Sequence, residues 1–309
     1  MSHVWHGPAG EGAAAGGSAV AGASAGAENA KPTFVFVHGA WHGAWCWAHV
    51  VRLLGAQGFA AIALDLPGHG LTARLPSAYG SQDLAAMATE VSPLAELTTH
   101  DYRDLVLSVV CGLSKGGSGP VVLVGHSLGG ATLTAVAEAE PTLIRRLVYL
   151  TAFVPVMRPT PLDYIQLPSM ATAEVPPLFA GDPTVLACAR INFNAADPAK
   201  AAANKSAFYG DVSDAVYAPV AHLLTPDEPI GALVTPVIPT VGQWGSVPRT
   251  YIRCTQDRAI LIAAQDQMIA EADEFTPHNK FVQETLATSH SPFLSAPDDV
   301  VSLLIKATA

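Results

Sequence analysis

The chain is poor in charge. Only 14% of its 309 residues are Asp, Glu, Lys or Arg, while half are hydrophobic. Intrinsic disorder of the whole chain is thereby excluded, because so much apolar material drives burial into a large core. Basic residues are scarcest: 16 Lys and Arg against 26 Asp and Glu give a net charge of −10. A phosphate backbone needs a basic face, so no nucleic-acid partner is expected. Long apolar runs are missing as well. No stretch of about 18 strongly apolar residues occurs, so no membrane span is expected. Four cysteines in a chain of this length do not build a disulfide scaffold. Cys46 between two tryptophans and Cys254 in an apolar run read as buried small thiols, with one disulfide among Cys46, Cys111, Cys188 and Cys254 left open.

What is present changes along the chain. Residues 1–30 are mostly Gly, Ala and Ser and read as a flexible tail. "SAVAGASA" faintly resembles the end of an export signal, but no Lys or Arg precedes it. The expectation is a soluble chain, cytoplasmic rather than exported, with export left open. From Lys31 short β-branched runs begin: "TFVFV" (33–37), "AAIAL" (60–64), "VVLVG" (121–125), "RLVYL" (146–150), "TYIRC" (250–254) and "KFVQET" (280–285). The first three are continuously apolar, the pattern of strands buried on both faces of a parallel sheet. Helical segments separate most of them: "WAHVVRLLGAQG" ends on Gly58, "LGGATLTAVAEAE" stops before Pro141, and "PDDVVSLLIKA" opens with Pro297 and two acids. Strand–helix alternation gives βαβ units and an α/β fold with a mostly parallel sheet. Residues 153–247 break the rhythm, holding 13 of the 24 prolines together with scattered aromatics. They read as a cap inserted over one end of the sheet, with residues 31–152 and 248–309 as the core.

The pattern G-x-S-x-G occurs three times, around Ser24, Ser114 and Ser127. A nucleophilic serine needs a buried strand before it and a helix after it, so that it sits on a sharp turn at the strand's carboxyl end. Ser24 lies in low-complexity sequence, and Ser114 follows a helix end and precedes a loop. Ser127 alone has "VVLV" before it and a helical pattern behind it. Serine also needs a base, and the base an orienting acid, in the chain order Ser, acid, His. Asp257 and His290 follow later strands and sit at the edge where Ser127 emerges. The rival base His278 precedes its strand and belongs at the opposite edge, and Asp266 and Asp273 read as exposed helix residues. Backbone N–H groups of Leu128, after the nucleophile, and Ala40, in the loop after the first strand, would form an oxyanion hole. His38 and His42 are spaced like metal ligands, but no third ligand accompanies them, so no metal and no cofactor are expected. His126 reads as a packed structural histidine.

Together "FVFVHGAWHGAWCW", "LDLPGHG", "GHSLGGAT", "FYGDV", "GSVPRTYIRCTQDRAI" and "SHSPFLSAP" resemble the α/β-hydrolase superfamily over roughly residues 33–305. Within it they resemble the hydroxynitrile lyase and methylesterase branch, especially its bacterial esterases. The resemblance implies a six-stranded sheet with a cap before the acid-bearing strand. It carries nucleophile, acid and base onto Ser127, Asp257 and His290, and the oxyanion donors onto Ala40 and Leu128. Lyases of the branch have a threonine where Gly39 stands and a lysine where Ser291 stands, and both departures point to ester hydrolysis. The "FYGDV" segment departs from a cysteine-ended version common in the branch. The expected activity is a serine carboxylesterase acting on an apolar, uncharged small-molecule ester with a bulky acyl or alcohol part, with Gly39 and Trp244 in the substrate pocket. The alternatives are a hydroxynitrile lyase and a non-catalytic ligand receptor on the same fold. Which ester is cleaved, and the oligomeric state, are not legible.

Overall fold

The computed structural model describes residues 31–308; the expected tail over residues 1–30, and Ser24 with it, lies outside them. The strands are β1 (Phe34–Val37), β2 (Ala61–Leu64), β3 (Val121–Ser127), β4 (Ile144–Ala152), β5 (Cys188–Arg190), β6 (Asp227–Pro229), β7 (Arg249–Cys254) and β8 (Val282–Leu286). Six of them form one sheet in the order β2-β1-β3-β4-β7-β8, and every pairing is parallel. The central β1 and β3 are buried along their whole length. β2 departs from the expectation of a strand buried on both faces: it is a sheet edge, and Ile62 on it is 39% exposed. Its apolar run reflects small residues at a margin rather than a core position.

Helices complete the layers. Ala48–Ala56 packs on Pro297–Lys306, and Thr99–Lys115 packs on Gly129–Ala139. The long helix Thr99–Lys115 starts at a capping box, in which the Thr98 side chain and Asp101 satisfy each other's backbone donors. None of the helices among the described residues is long and apolar enough to cross a membrane.

From β1 the chain runs outward to β2, then crosses back to β3 on the other side of β1. Strand order therefore reverses between β1 and β3. In open parallel sheets a crevice opens beyond the carboxyl ends at such a switch point. The loops after β1 and β3 meet there.

Between β4 and β7 the chain leaves the main sheet. It forms short helices, the two-stranded antiparallel pair β5–β6, and the helices Pro198–Tyr209 and Asp214–Ala221. Its proline content has a local cause: Pro161, Pro168, Pro176, Pro183 and Pro198 each stand in the first turn of a helix, where a missing N–H costs nothing. The last part of the segment does not lie over the sheet's end. The amides of Thr240 and Trp244 both donate to Glu138 of the helix Gly129–Ala139, at 2.7 and 3.2 Å. All four cysteines are free.

Candidate active site

Ser127 is the last residue of β3 and has φ 53°. A left-handed conformation at a non-glycine residue costs about 1–3 kcal/mol, so the surroundings must impose it. Here the β3–β4 register shifts between His126 and Ser127, and the helix Gly129–Ala139 begins two residues on. That helix can start so close to the sheet only because Gly130 lacks a Cβ. One placed there would stand 2.2 Å from the Phe153 carbonyl oxygen. Ser114, by contrast, sits half-buried in the last turn of Thr99–Lys115.

Asp257 lies just past β7 and His290 past β8, and the fold brings them into direct contact. His290 Nδ1 is 2.7 Å from Asp257 Oδ2. Asp257 Oδ1 accepts from the backbone amides of Ala259 at 2.7 Å and Ile260 at 2.9 Å. The Thr151 hydroxyl donates to Oδ2. Both carboxylate oxygens are thus occupied, which fixes the carboxylate and, through it, the imidazole. The His290 ring lies 4.5 Å, centroid to centroid, from that of His126, the residue before Ser127. The Phe208 ring lies 6.0 Å, centroid to centroid, from that of His290. His290 and Asp257 are both buried.

A cavity of about 520 Å³, its mouth included, opens at Ser127. Ala40, Leu128 and Phe153 line it from the core, and Ile165, Met170, Val175 and Phe179 line it from the insertion. Ser127 is the one polar residue among those lining it, and none is charged. Ala40 and Leu128 flank Ser127 there, and neither backbone amide is paired with a backbone acceptor among the described residues. Two such free donors beside a nucleophile are what an oxyanion requires.

Two expected pocket residues stand elsewhere. Trp244 does not line the cavity. It is fully buried against the core, where its indole N–H donates to the Tyr149 hydroxyl at 2.9 Å and the Arg249 guanidinium lies 4.0 Å from its ring centroid. The reason is the return of residues 240–247 onto the helix Gly129–Ala139. Gly39 lies under Ser127 rather than in the cavity: a Cβ there would stand 2.6 Å from Ser127 Cβ and 2.9 Å from His126 Nδ1. Ser291 is wholly buried and does not line the cavity either. His278 is exposed, and Asp266 pairs with Arg253 on the surface at 2.8 Å. Asp273 is only half-exposed, because it accepts from the Phe281 amide at 2.7 Å.

The buried histidines His38, His42 and His126 are held by structural contacts. His42 bridges the Ala40 carbonyl and the Tyr209 hydroxyl, each at 2.7 Å, and burial pushes its pKa down to about 3. Burial also lowers His38 and His126 well below the ordinary histidine value, with neighbouring histidines adding to the effect. His126 Nε2 donates to the His290 carbonyl at 2.8 Å. No group of three or more metal-ligating side chains stands together among the described residues.

Some site residues carry no local signal. Thr151, at φ 38° near the end of β4, supports Asp257 from a distance of 106 residues along the chain. Asp211 of "FYGDV" accepts from both the amide and the hydroxyl of Ser289, next to His290, at 2.9 and 2.5 Å. Phe208 opens the same segment, and nothing local signals its contact with His290.

A parallel sheet with a strained serine at the switch point, followed by an acid and a histidine at later strand ends, defines a hydrolase-type α/β architecture. A family model described as "Alpha/beta hydrolase family" matches residues 34–303, and the chain belongs to that family. Methylesterase 7 of Arabidopsis thaliana is 29% identical over 283 residues, which are 90% of this chain and 97% of that protein. Methylesterase 2 of the same plant is 36% identical over 134 residues. That match spans 43% of this chain and only 44% of the relative's length. Among solved structures, a pyrethroid hydrolase from Sphingobium faniae superposes with a TM-score of 0.71 at 24% identity. The superposition covers 91% of this chain and 98% of that one, and shows the shared fold.

Proposed function

We propose that this protein is a serine carboxylesterase that cleaves small, apolar, uncharged esters through an acyl-enzyme. The observation that carries the reading is Ser127, held on a strained turn in the lining of an apolar cavity, with the ring of His290 packed on that of the preceding residue His126 and paired with Asp257. His290, oriented through Nδ1 by Asp257, takes the Ser127 proton on its other nitrogen as Oγ attacks the ester carbonyl. The negative charge that develops on the carbonyl oxygen is received by the Ala40 and Leu128 amides. Collapse of the tetrahedral species breaks the C–O bond, and the alcohol leaves with the proton from His290. Water, activated by the same imidazole, then releases the acid and restores Ser127.

The lining, apolar but for Ser127 and without charge, supports an uncharged ester in preference to a cyanohydrin. Cyanide leaving as an anion finds no cation among the residues lining the cavity. The names of the relatives, several of them methylesterases, support ester cleavage as well. A fluorophosphonate ester followed by peptide mass spectrometry tests the reading. Labelling on Ser127, abolished in Ser127→Ala together with p-nitrophenyl butyrate hydrolysis, is expected. Labelling elsewhere, or a Ser127→Ala variant that keeps its activity, would overturn it. Cyanide release from mandelonitrile as fast as ester hydrolysis would move the reading to a lyase.

A further inference from the structure

A buried carboxylate that the triad does not use lies behind the oxyanion donors. Glu228 is the middle residue of β6 in the insertion and is 1% exposed. Its Oε2 accepts the Trp41 backbone N–H at 3.2 Å, and its Oε1 accepts the Tyr102 hydroxyl at 3.0 Å. Oε2 also lies 2.9 Å from His69 Nε2, an ion-pair distance without the alignment of a hydrogen bond. The neighbouring carboxylate on β6, Asp227, is committed elsewhere, to a buried bidentate pair with Arg190.

Trp41 is held on every polar group it has. Its carbonyl accepts from the Thr225 amide at 2.9 Å and the Thr225 hydroxyl at 3.1 Å, and its indole N–H donates to the Ala189 carbonyl at 2.8 Å. Trp41 also has φ 61°, a conformation that a bulky residue adopts only when imposed from outside. Every one of these restraints comes from residues 189–228, and Ala40 is the residue immediately before. The N–H side of the peptide between Ala40 and Trp41 is thus held by the insertion, while its carbonyl side, Ala40 O, is held by His42 of the loop after β1, and the two together fix the backbone of Ala40, whose own N–H lies one peptide earlier.

The charge state of the pair matters to the same hole. Burial is the largest single influence and would lower the His69 pKa, but the Glu228 carboxylate facing it, together with the Pro67 and Asp227 backbone, raises it. A protonated His69 makes the pair neutral. An uncompensated carboxylate there would oppose the oxyanion that the hole exists to bind.

We propose that Glu228 is a positioning residue of the oxyanion hole, holding the Trp41 amide from the insertion and thereby aiming the Ala40 N–H at the substrate carbonyl. The proposal rests on the esterase reading. It is tested with full-length Glu228→Gln, Glu228→Asp and Glu228→Ala. The readouts are kcat and KM for p-nitrophenyl butyrate, and inhibition by an alkyl trifluoromethyl ketone, whose adduct with Ser127 carries an oxyanion. Gln keeps an acceptor oxygen at the same reach and should stay within about fivefold of wild type. Asp draws the acceptor back and Ala removes it. Both should lose roughly 10–100-fold in kcat, with KM within about threefold, and the ketone should weaken by the same factor as kcat. A KM effect without a kcat effect, or ketone affinity that does not follow kcat, overturns the proposal. If the Ala variant does not fold, the other two decide: Gln must exceed Asp in kcat, and equality or the reverse order overturns it. Phosphonylation of wild-type Ser127 separates the two readings. Its absence sinks both, whereas a labelled wild type with a flat Glu228 series sinks only the positioning role.

Discussion

Replacing Asp257 by Asn changes one atom, and the structure decides which way the new amide must face. Oδ1 accepts from two backbone amides, Ala259 at 2.7 Å and Ile260 at 2.9 Å. Those donors cannot turn away, so the amide oxygen of Asn must stay on that side and the NH2 must point at His290 Nδ1. The flip that would keep an acceptor on the histidine would set NH2 against two N–H groups. With a donor facing it, Nδ1 becomes the acceptor and the imidazole proton moves to Nε2, the nitrogen that must take the proton of Ser127. A base in the wrong tautomer costs on the order of 10⁴ in kcat, or roughly 5–6 kcal/mol in the barrier. The Thr151 hydroxyl can rotate to accept, so the fold should lose only about 1–3 kcal/mol for the charge-assisted bonds. The assay is kcat for p-nitrophenyl butyrate beside the urea midpoint of the same preparation. Activity within tenfold of wild type in a folded Asp257→Asn would refute the assignment of Asp257 as the orienting acid. A large loss that merely tracked unfolding would remove its support.

Trp244→Phe deletes the bond to Tyr149 and should destabilise by about 1–2 kcal/mol, visible as a lower melting temperature. Ratios of kcat/KM across esters of increasing acyl length should be unchanged, while Met170→Ala, which widens the cavity, should move them towards longer chains; the opposite assignment would return Trp244 to the pocket. Acid should unfold the protein through its buried histidines. His42, lowered to about 3, stays neutral in the folded chain while its unfolded counterpart protonates near ~6.5. Unfolding therefore takes up a proton between these values, and stability falls as pH drops through that window, by at most about 1.4 kcal/mol per pH unit for this residue. In His42→Asn the slope of stability against pH from about 6 to 4 should be shallower, and an unchanged slope would refute the account.

Much of this protein is written in contiguous residues. Selecting Ser127 from three matches to one pattern needed only its neighbours, because a buried strand before it and a helix after it are encoded in local hydrophobicity and glycine placement. The positions of Asp257 and His290 follow from a rule about strand ends, and in the folded chain His290 Nδ1 lies 2.7 Å from Asp257 Oδ2. Helix starts at Pro198 and Pro297 are likewise local, since proline and the preceding residue act within one turn. What could not be read is which distant groups meet. Trp244 and Phe208 are both aromatics in one proline-rich segment, and nothing near either says that one packs on Tyr149 and Arg249 while the other covers His290. Thr151 finds Asp257 across 106 residues because β4 and β7 are neighbours in the sheet, and Glu228 finds Trp41 across 187 because the insertion that carries β6 folds back onto the loop after β1. Periodicity and turn chemistry act over a few bonds and survive in the one-dimensional text. Partner choice depends on how the sheet is ordered and where the insertion folds back, and so it exists only once the chain has closed on itself.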